Sequence, residues 1–254
     1  MSKNFGILIR IKKYFFPTKY DKAQKRLYNE RLTFYRQFVS SGEMCFDIGA
    51  NYGNRTEVFL AIGAKVIALE PQEKCFRFLK KNYGKKAVIL QKGAGAKPDV
   101  LDFYINEKNS PVSTFSKEWI NELKTTRFAG NEWNKVVKIE VVPLDSLIEE
   151  YGEPKFIKID VEGFELEVLK GLTNPFKYLS FEYAVPEKLD NLLACLQLLQ
   201  SRYQGLVANY AVGEEALLHM ASWKPLDEMI DYTKTKEFIA SFAGDIYIRS
   251  QNPI

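Results

Sequence analysis

Short apolar runs alternate with amphipathic stretches along most of this chain. Met44, Cys45, Phe46 and Ile48 form an apolar run of strand length, and the segment 55–62, apolar at Val58, Phe59 and Ile62, has helical spacing. Lys65 to Leu69, KVIAL, reads as a second buried strand and 74–82 as the helix after it. Further strands are expected at 88–91, at 101–105 as a hairpin arm, and at 138–142. The run FIKID at 156–160 predicts a central strand, with a helix over ELEVLKG, a neighbouring strand at 178–183 and an amphipathic helix at 189–203. Strand and helix alternating in this way predict an α/β fold with a doubly wound sheet.

The loop after the first strand carries the first chemical signal. It reads D-x-G-x-x-x-G, from Asp47 through Gly49 and Asn51 to Gly53. Glycines let the backbone turn sharply and approach a ligand closely, and the following helix N-terminus points at that ligand. Alone, such a loop is only slightly better evidence for a nucleotide than for an ordinary turn. Glu70 adds a second signal, because it ends the second strand, 23 residues after Asp47, where an acid can accept both hydroxyls of a ribose. A carboxylate beside the loop repels a diphosphate and suits a cationic ligand such as S-adenosylmethionine. A nicotinamide dinucleotide therefore ranks second.

Four separated segments in order, DIGANYGNRT at 47–56, EPQEKCFRFLKKN at 70–82, LDSL at 144–147 and KIDVEGFELEVLKG at 158–171, resemble the signatures of FkbM-type methyltransferases. The resemblance covers roughly residues 42–185, with a weaker echo in DIYIR near the C-terminus. It implies a Rossmann-like class I fold, with a mostly parallel seven-stranded sheet and helices on both faces. It also implies S-adenosylmethionine-dependent O-methylation, often of a sugar hydroxyl in a glycan or glycosylated metabolite. The cofactor set expected from these segments is Asp47, Gly49, Asn51, Gly53, Thr56, Glu70, Gly93 and Ala94. The chain departs from the family where an acid often follows the Ala-x-Gly position: Ala94 and Gly95 are followed here by Ala96 and Lys97.

The second decisive segment places Asp160 and Glu162 at a strand end, opposite the cofactor, where ligands collect in α/β sheets. Glu182, ending the neighbouring strand, faces the same cleft or else pairs with a lysine. With Lys158 on the same face as Asp160, these acids form the expected catalytic set: Asp160, Glu162 and Lys158. A lysine base requires a lowered pKa, which a nearby aspartate opposes, so Lys158 is better suited to orient an acid or bind the acceptor. Asp160 and Glu182 are also the candidate ligands should Mg²⁺ assist. The single histidine, His219, lies outside every motif and reads as a surface or packing residue.

Residues 106–135 form an insertion too long for a simple connector. Its Ser113 and Thr114 are acceptor-contact candidates, with helix capping as their competing role. Trp119 and Trp133 either stack on a sugar or, with twice the weight, anchor a helix.

Charge is uneven. The net +4 of the 254-residue chain resolves into +8 over residues 1–40 and −4 beyond. Phe5, Ile7, Tyr14, Phe15 and Phe16 lie among Lys3, Arg10, Lys12 and Lys13, a mixture suited to an anionic membrane surface or an acidic carrier, or equally to a helix packed on the sheet. One methyltransferase domain over 41–254 is expected after this basic, helical extension. No nucleic-acid motif accompanies it. Cys45, Cys75 and Cys195 are widely spaced with no C-x-x-C pair, which together with the lack of a cleavable signal-peptide pattern argues for a cytoplasmic protein, and no apolar run reaches the roughly 18 residues of a membrane span. A binding scaffold without catalysis remains the rival from another class.

Overall fold

The computed structural model describes residues 18–251. Helix α1 (Lys19–Tyr35) precedes strand β1 (Met44–Ile48), helix α2 (Asn54–Ile62), strand β2 (Lys65–Leu69), helix α3 (Glu73–Tyr83) and strand β3 (Val88–Leu90). Strands β4 (Gly93–Ala94) and β5 (Asp99–Ile105) lead into the insertion, which carries helix α4 (Lys117–Leu123) and returns through strand β6 (Lys135–Val142). Helix α5 (Leu144–Tyr151), strand β7 (Phe156–Ile159), helix α6 (Glu165–Lys170), strand β8 (Tyr178–Ala184) and helix α7 (Leu189–Arg202) follow. Strands β9 (Leu206–Val212) and β10 (Lys224–Pro225), helices α8 (Leu226–Tyr232) and α9 (Lys236–Ile239), and strand β11 (Ala243–Ser250) complete the chain.

The main sheet runs β10-β9-β11-β8-β7-β1-β2-β3. Strands β3, β2, β1, β7 and β8 are parallel, while β11 is antiparallel to both β8 and β9. Five of the expected strands, β1, β2, β3, β7 and β8, lie in this sheet, and β9, β11 and the two-residue edge strand β10 complete its eight. Strands β5 and β6, expected in the same alternation, instead pair antiparallel with each other and, with β4, make a separate three-stranded sheet. Only alternate residues of β6 are buried over its second half, the pattern of a sheet with one wet face.

Side chains alternate between two cores, one on each face of the main sheet. Phe46, Ile48, Ile67, Leu69, Ile157 and Ile159 face the larger core, under α5 to α8. Cys45, Val66, Ala68 and Phe156 face the other, which is closed by α1 and α2 through Phe34, Tyr35, Val58 and Phe59. Phe34 and Phe38 meet Tyr247 of β11, at ring separations of 5.2 and 5.8 Å. The folded unit thus begins upstream of residue 41, within the segment read as an extension. The aromatic basic run at 3–16 lies outside the described residues. No helix among the described residues is long and apolar enough to cross a membrane.

Candidate active site

The C-terminal ends of β1, β2, β7 and β8 open into one cavity of about 240 Å³. Strand alternation puts Asp47, Lys158, Asp160, Glu182 and Asp245 on a common face of the sheet, so the acids accumulate at one edge.

The loop after β1 is fixed by backbone geometry. The amides of Gly49 and Ala50 donate to the carbonyl of Leu69 at 3.0 and 2.9 Å, turning the chain across the end of β2. Gly49 has φ +83°, and a Cβ there would meet the carbonyl oxygen of Asp160 at 1.8 Å. Asn51, at φ +48°, donates its amide to Glu70 Oε2 at 2.7 Å, and the Gln72 amide donates to Glu70 Oε1 at the same distance. Two amides therefore orient the Glu70 carboxylate. Burial pushes its pKa up to about 7, against the pull of those amides. Asp47 is likewise raised by burial, which outweighs the hydrogen bond it accepts from Thr56 Oγ1 at 2.5 Å.

Of the expected cofactor residues, Asp47, Gly49, Asn51, Glu70, Gly93 and Ala94 line the cavity. Thr56 and Gly53 stand behind it. Thr56 is fully buried and directed at Asp47, and Gly53 starts α2 where a Cβ would strike Leu79 and Tyr83 of α3. Their positions suit them to shape the loop rather than to touch a ligand.

At the opposite wall Asp160, Glu162 and Glu182 converge, with carboxylate oxygens within 4.8 Å of one another. Glu162 has φ +53° in the turn after β7. Burial, followed by the charges of its acidic neighbours, raises Glu162 and Glu182 well above the ordinary carboxylate range. Lys158 does not reach the cavity surface. It is fully buried in β7, and its Nζ donates to Asp245 Oδ1 at 2.9 Å and Asp160 Oδ2 at 3.2 Å. Burial alone would lower its pKa, but Asp160 and Asp245 overcome that and raise it. Of the roles expected for Lys158, orienting an acid fits its contacts; although placed in the catalytic set, it stands behind Asp160 and off the cavity surface.

The insertion supplies the third wall. Ser113 lines the cavity and accepts from Gln72 Nε2 at 2.9 Å. Thr114 does not line it: fully buried, it donates to the backbone carbonyl of Glu162 at 2.7 Å and accepts from the Ser116 amide. Trp119 lies flush on Gly163, where a Cβ would sit 2.0 Å from its ring. With Phe128 and Trp133 it forms a small core of its own. Its tryptophans are anchors. His219 stacks on Tyr210 at 5.3 Å and faces Glu215 at 2.9 Å.

Sequence reasoning missed three participants. Asp245 sits in the DIYIR echo, where its place within a buried strand was the available signal. Arg55 and Glu214 both line the cavity and are paired at 2.8 Å; Arg55 falls within the DIGANYGNRT segment without being singled out there, and no motif marks Glu214.

The residues fit a nucleoside carrying a cationic group: an oriented acid for a diol and a further acid beside the loop. A doubly wound sheet with these features defines a Rossmann-like class I methyltransferase fold. The methyltransferase FkbM domain profile matches residues 47–221, and the chain belongs to that family.

A curated relative, hexuronic acid methyltransferase AglP of Haloferax volcanii, is 28% identical over 144 residues, 55% of this chain and 54% of the relative. The chain thus spans about half the length of the curated relative it matches. Among solved structures, a TehB-like SAM-dependent methyltransferase from Corynebacterium glutamicum aligns over 98% of both chains, with a TM-score of 0.45 and 9% identity. An O-methyltransferase from Bacillus cereus in complex with SAH aligns over 89% of this chain and 81% of that one, with a TM-score of 0.43 and 15% identity. Likenesses this distant carry no functional argument.

Proposed function

We propose that this protein transfers the methyl group of S-adenosylmethionine to a hydroxyl of a sugar in a glycan or glycosylated metabolite. The observation that carries this reading is one cavity with the oriented Glu70 carboxylate at one wall and the Asp160, Glu162 and Glu182 carboxyls at another. The relative AglP is a hexuronic acid methyltransferase, which supports a sugar acceptor.

When bound, the cofactor supplies an electrophilic methyl carbon on a sulfonium. Glu70 would take the ribose hydroxyls, Asp47 and the loop through Asn51 would hold the cationic portion, and Gly93 with Ala94 would border the base. At the far wall the acidic trio would bind the acceptor hydroxyl and take up its proton as the methyl group is transferred. Burial and mutual repulsion raise Glu162 and Glu182, so whichever of the trio is ionised would be a stronger base for that proton than an ordinary carboxylate. Asp160, held by Lys158, aims the acceptor. Such positioning and base help together supply the rate.

The mutual distances within the trio also favour a second reading, in which Mg²⁺ held by Asp160 and Glu182 assists the hydroxyl. Calorimetric titration with S-adenosylmethionine, S-adenosylhomocysteine and NADH tests the cofactor, and methyl transfer to glycosides with and without EDTA tests the acceptor and the metal. Binding of the two adenosyl ligands alone supports the proposal. Binding of NADH alone, or of none with the fold intact, overturns it.

A further inference from the structure

Glu214 occupies an unusual position for a structural ion-pair partner. It lies in the irregular stretch after β9, next to Gly213 at φ +53°, and its side chain is 67% exposed. The two arginines it serves are nearly buried, at 8% for Arg31 and 13% for Arg55.

Both guanidiniums reach the same oxygen, Oε2, through a single Nη2 each, at 2.5 and 2.8 Å. Arginine holds a carboxylate best through a two-pronged fork, and neither fork is completed here. Arg55 spends its Nε on Tyr35 Oη at 3.2 Å, and the buried Nε of Arg31 has no hydrogen-bond partner. Two guanidiniums thus share one hydrogen-bonded carboxylate, with donors to spare, while Asp245 adds a more distant negative charge near Arg55. Burial and the neighbouring Arg55 charge both push the Arg31 pKa down, so a second anion beside the pair would be favoured. Desolvation opposes ionisation of Glu214, but the guanidiniums hold it at about 2, so it remains an anion at every working pH.

The position of the pair gives this chemistry an address. Arg55 and Glu214 both line the cavity. The other cationic lining residue, Lys92, is already paired with Glu140 at 2.8 Å, and the remaining charged lining residues are acids. One rim of an acidic cavity therefore carries an anion receptor.

We infer that Arg55, backed by Arg31, is the receptor for a ligand carboxylate, and that Glu214 is a built-in competitor that this carboxylate displaces. The inference rests on the proposed methyl transfer, which offers two sources of the same chemistry: the amino-acid carboxylate of the cofactor and the carboxylate of an acidic sugar.

The receptor and a purely structural clamp give opposite signs. A clamp is weakened by losing either partner. A competed receptor is weakened by Arg55→Gln and strengthened by Glu214→Gln, which keeps the shape and removes the charge.

The test is calorimetric titration of the full-length protein and both variants with S-adenosylhomocysteine and with its decarboxylated analogue, S-adenosyl-3-thiopropylamine. Methyl-transfer kinetics on methyl glucuronoside and methyl glucoside follow. If the cofactor carboxylate is the ligand, Arg55→Gln binds S-adenosylhomocysteine about tenfold more weakly and Glu214→Gln about threefold or more tightly, with neither shift for the analogue. If the acceptor carboxylate is the ligand, cofactor binding is unchanged and the opposed shifts appear in KM for the glucuronoside alone. Shifts of the same sign in both variants, or none in either assay, overturn the inference. Absence of S-adenosylhomocysteine binding by all three folded proteins overturns the proposed function itself, and with it this inference.

Discussion

Gly49 and Asp160 meet backbone against backbone, so closely that a single methyl group on Gly49 would lie 1.8 Å from the Asp160 carbonyl oxygen. The amide of Asp160 also donates to the carbonyl of Ile48 at 2.9 Å, the residue just before that glycine. The cofactor loop and the acid-bearing strand end are consequently one rigid junction.

Gly49→Ala should break that junction. The methyl group faces backbone that cannot rotate away, and φ +83° is itself strained for alanine. A loss of about 2 kcal/mol or more is expected in urea unfolding, together with lost cofactor affinity. An unchanged urea midpoint would refute the close approach.

Asp245→Asn removes a negative charge behind the acidic trio and leaves Lys158 to Asp160. Neighbouring carboxyls then ionise more easily, so the acid limb of the kcat/KM profile should move to lower pH. A stationary limb accompanied by a lower Tm would reduce Asp245 to a strand-to-strand tie. Lys158→Met, which leaves Asp245 buried without its cation, should cost about 3–5 kcal/mol of stability.

With Glu70 raised to about 7 and placed at the ribose as proposed, cofactor binding should be pH-dependent. The carboxylate accepts hydroxyl protons and loses that capacity when protonated. Affinity for S-adenosylhomocysteine should therefore fall below pH 7, by up to about tenfold per pH unit. Glu70→Gln should bind weakly at every pH with a flat profile, and a steep profile in that variant would transfer the titration to another group.

Glu165, buried in the first turn of α6 and also raised to about 7 by burial, affects stability instead. It accepts from the Gly163 amide at 3.0 Å and lies outside the main cavity. The folded state binds its proton more tightly than the unfolded chain does. Its contribution is therefore fully present below about 4.5 and is lost as pH rises through about 7, amounting to roughly 3 kcal/mol. Chemical unfolding of the wild type and Glu165→Gln at pH 5, 6, 7 and 8 should show the wild type losing ground to the variant as pH rises. Parallel curves would assign the burial no cost.

Much of this architecture was legible because local pattern coincides with long-range use. KVIAL is a strand of five residues in the sequence and in the fold, and each acid at a strand end opens onto the cleft because α/β sheets gather ligands there. Residues whose partners are remote gave no such signal. Glu214 meets Arg31 across 183 positions and Lys158 meets Asp245 across 87, and neither spacing has a period to detect. Thr56 and Thr114 show the converse difficulty: a hydroxyl near a motif looks like a ligand contact until the structure shows it bonded to Asp47 or to the backbone of Glu162. Strands β5 and β6 were visible as strands, but only their pairing shows that they leave the main sheet.

The grip of the insertion on the turn after β7 has a further consequence. Thr114 holds the carbonyl of Glu162, and Trp119 lies flush on Gly163. A change in residues 106–135 that shifts Thr114 or Trp119 should also move the turn bearing Glu162, so on the proposed acceptor role a chimaera should exchange the insertion and the turn together.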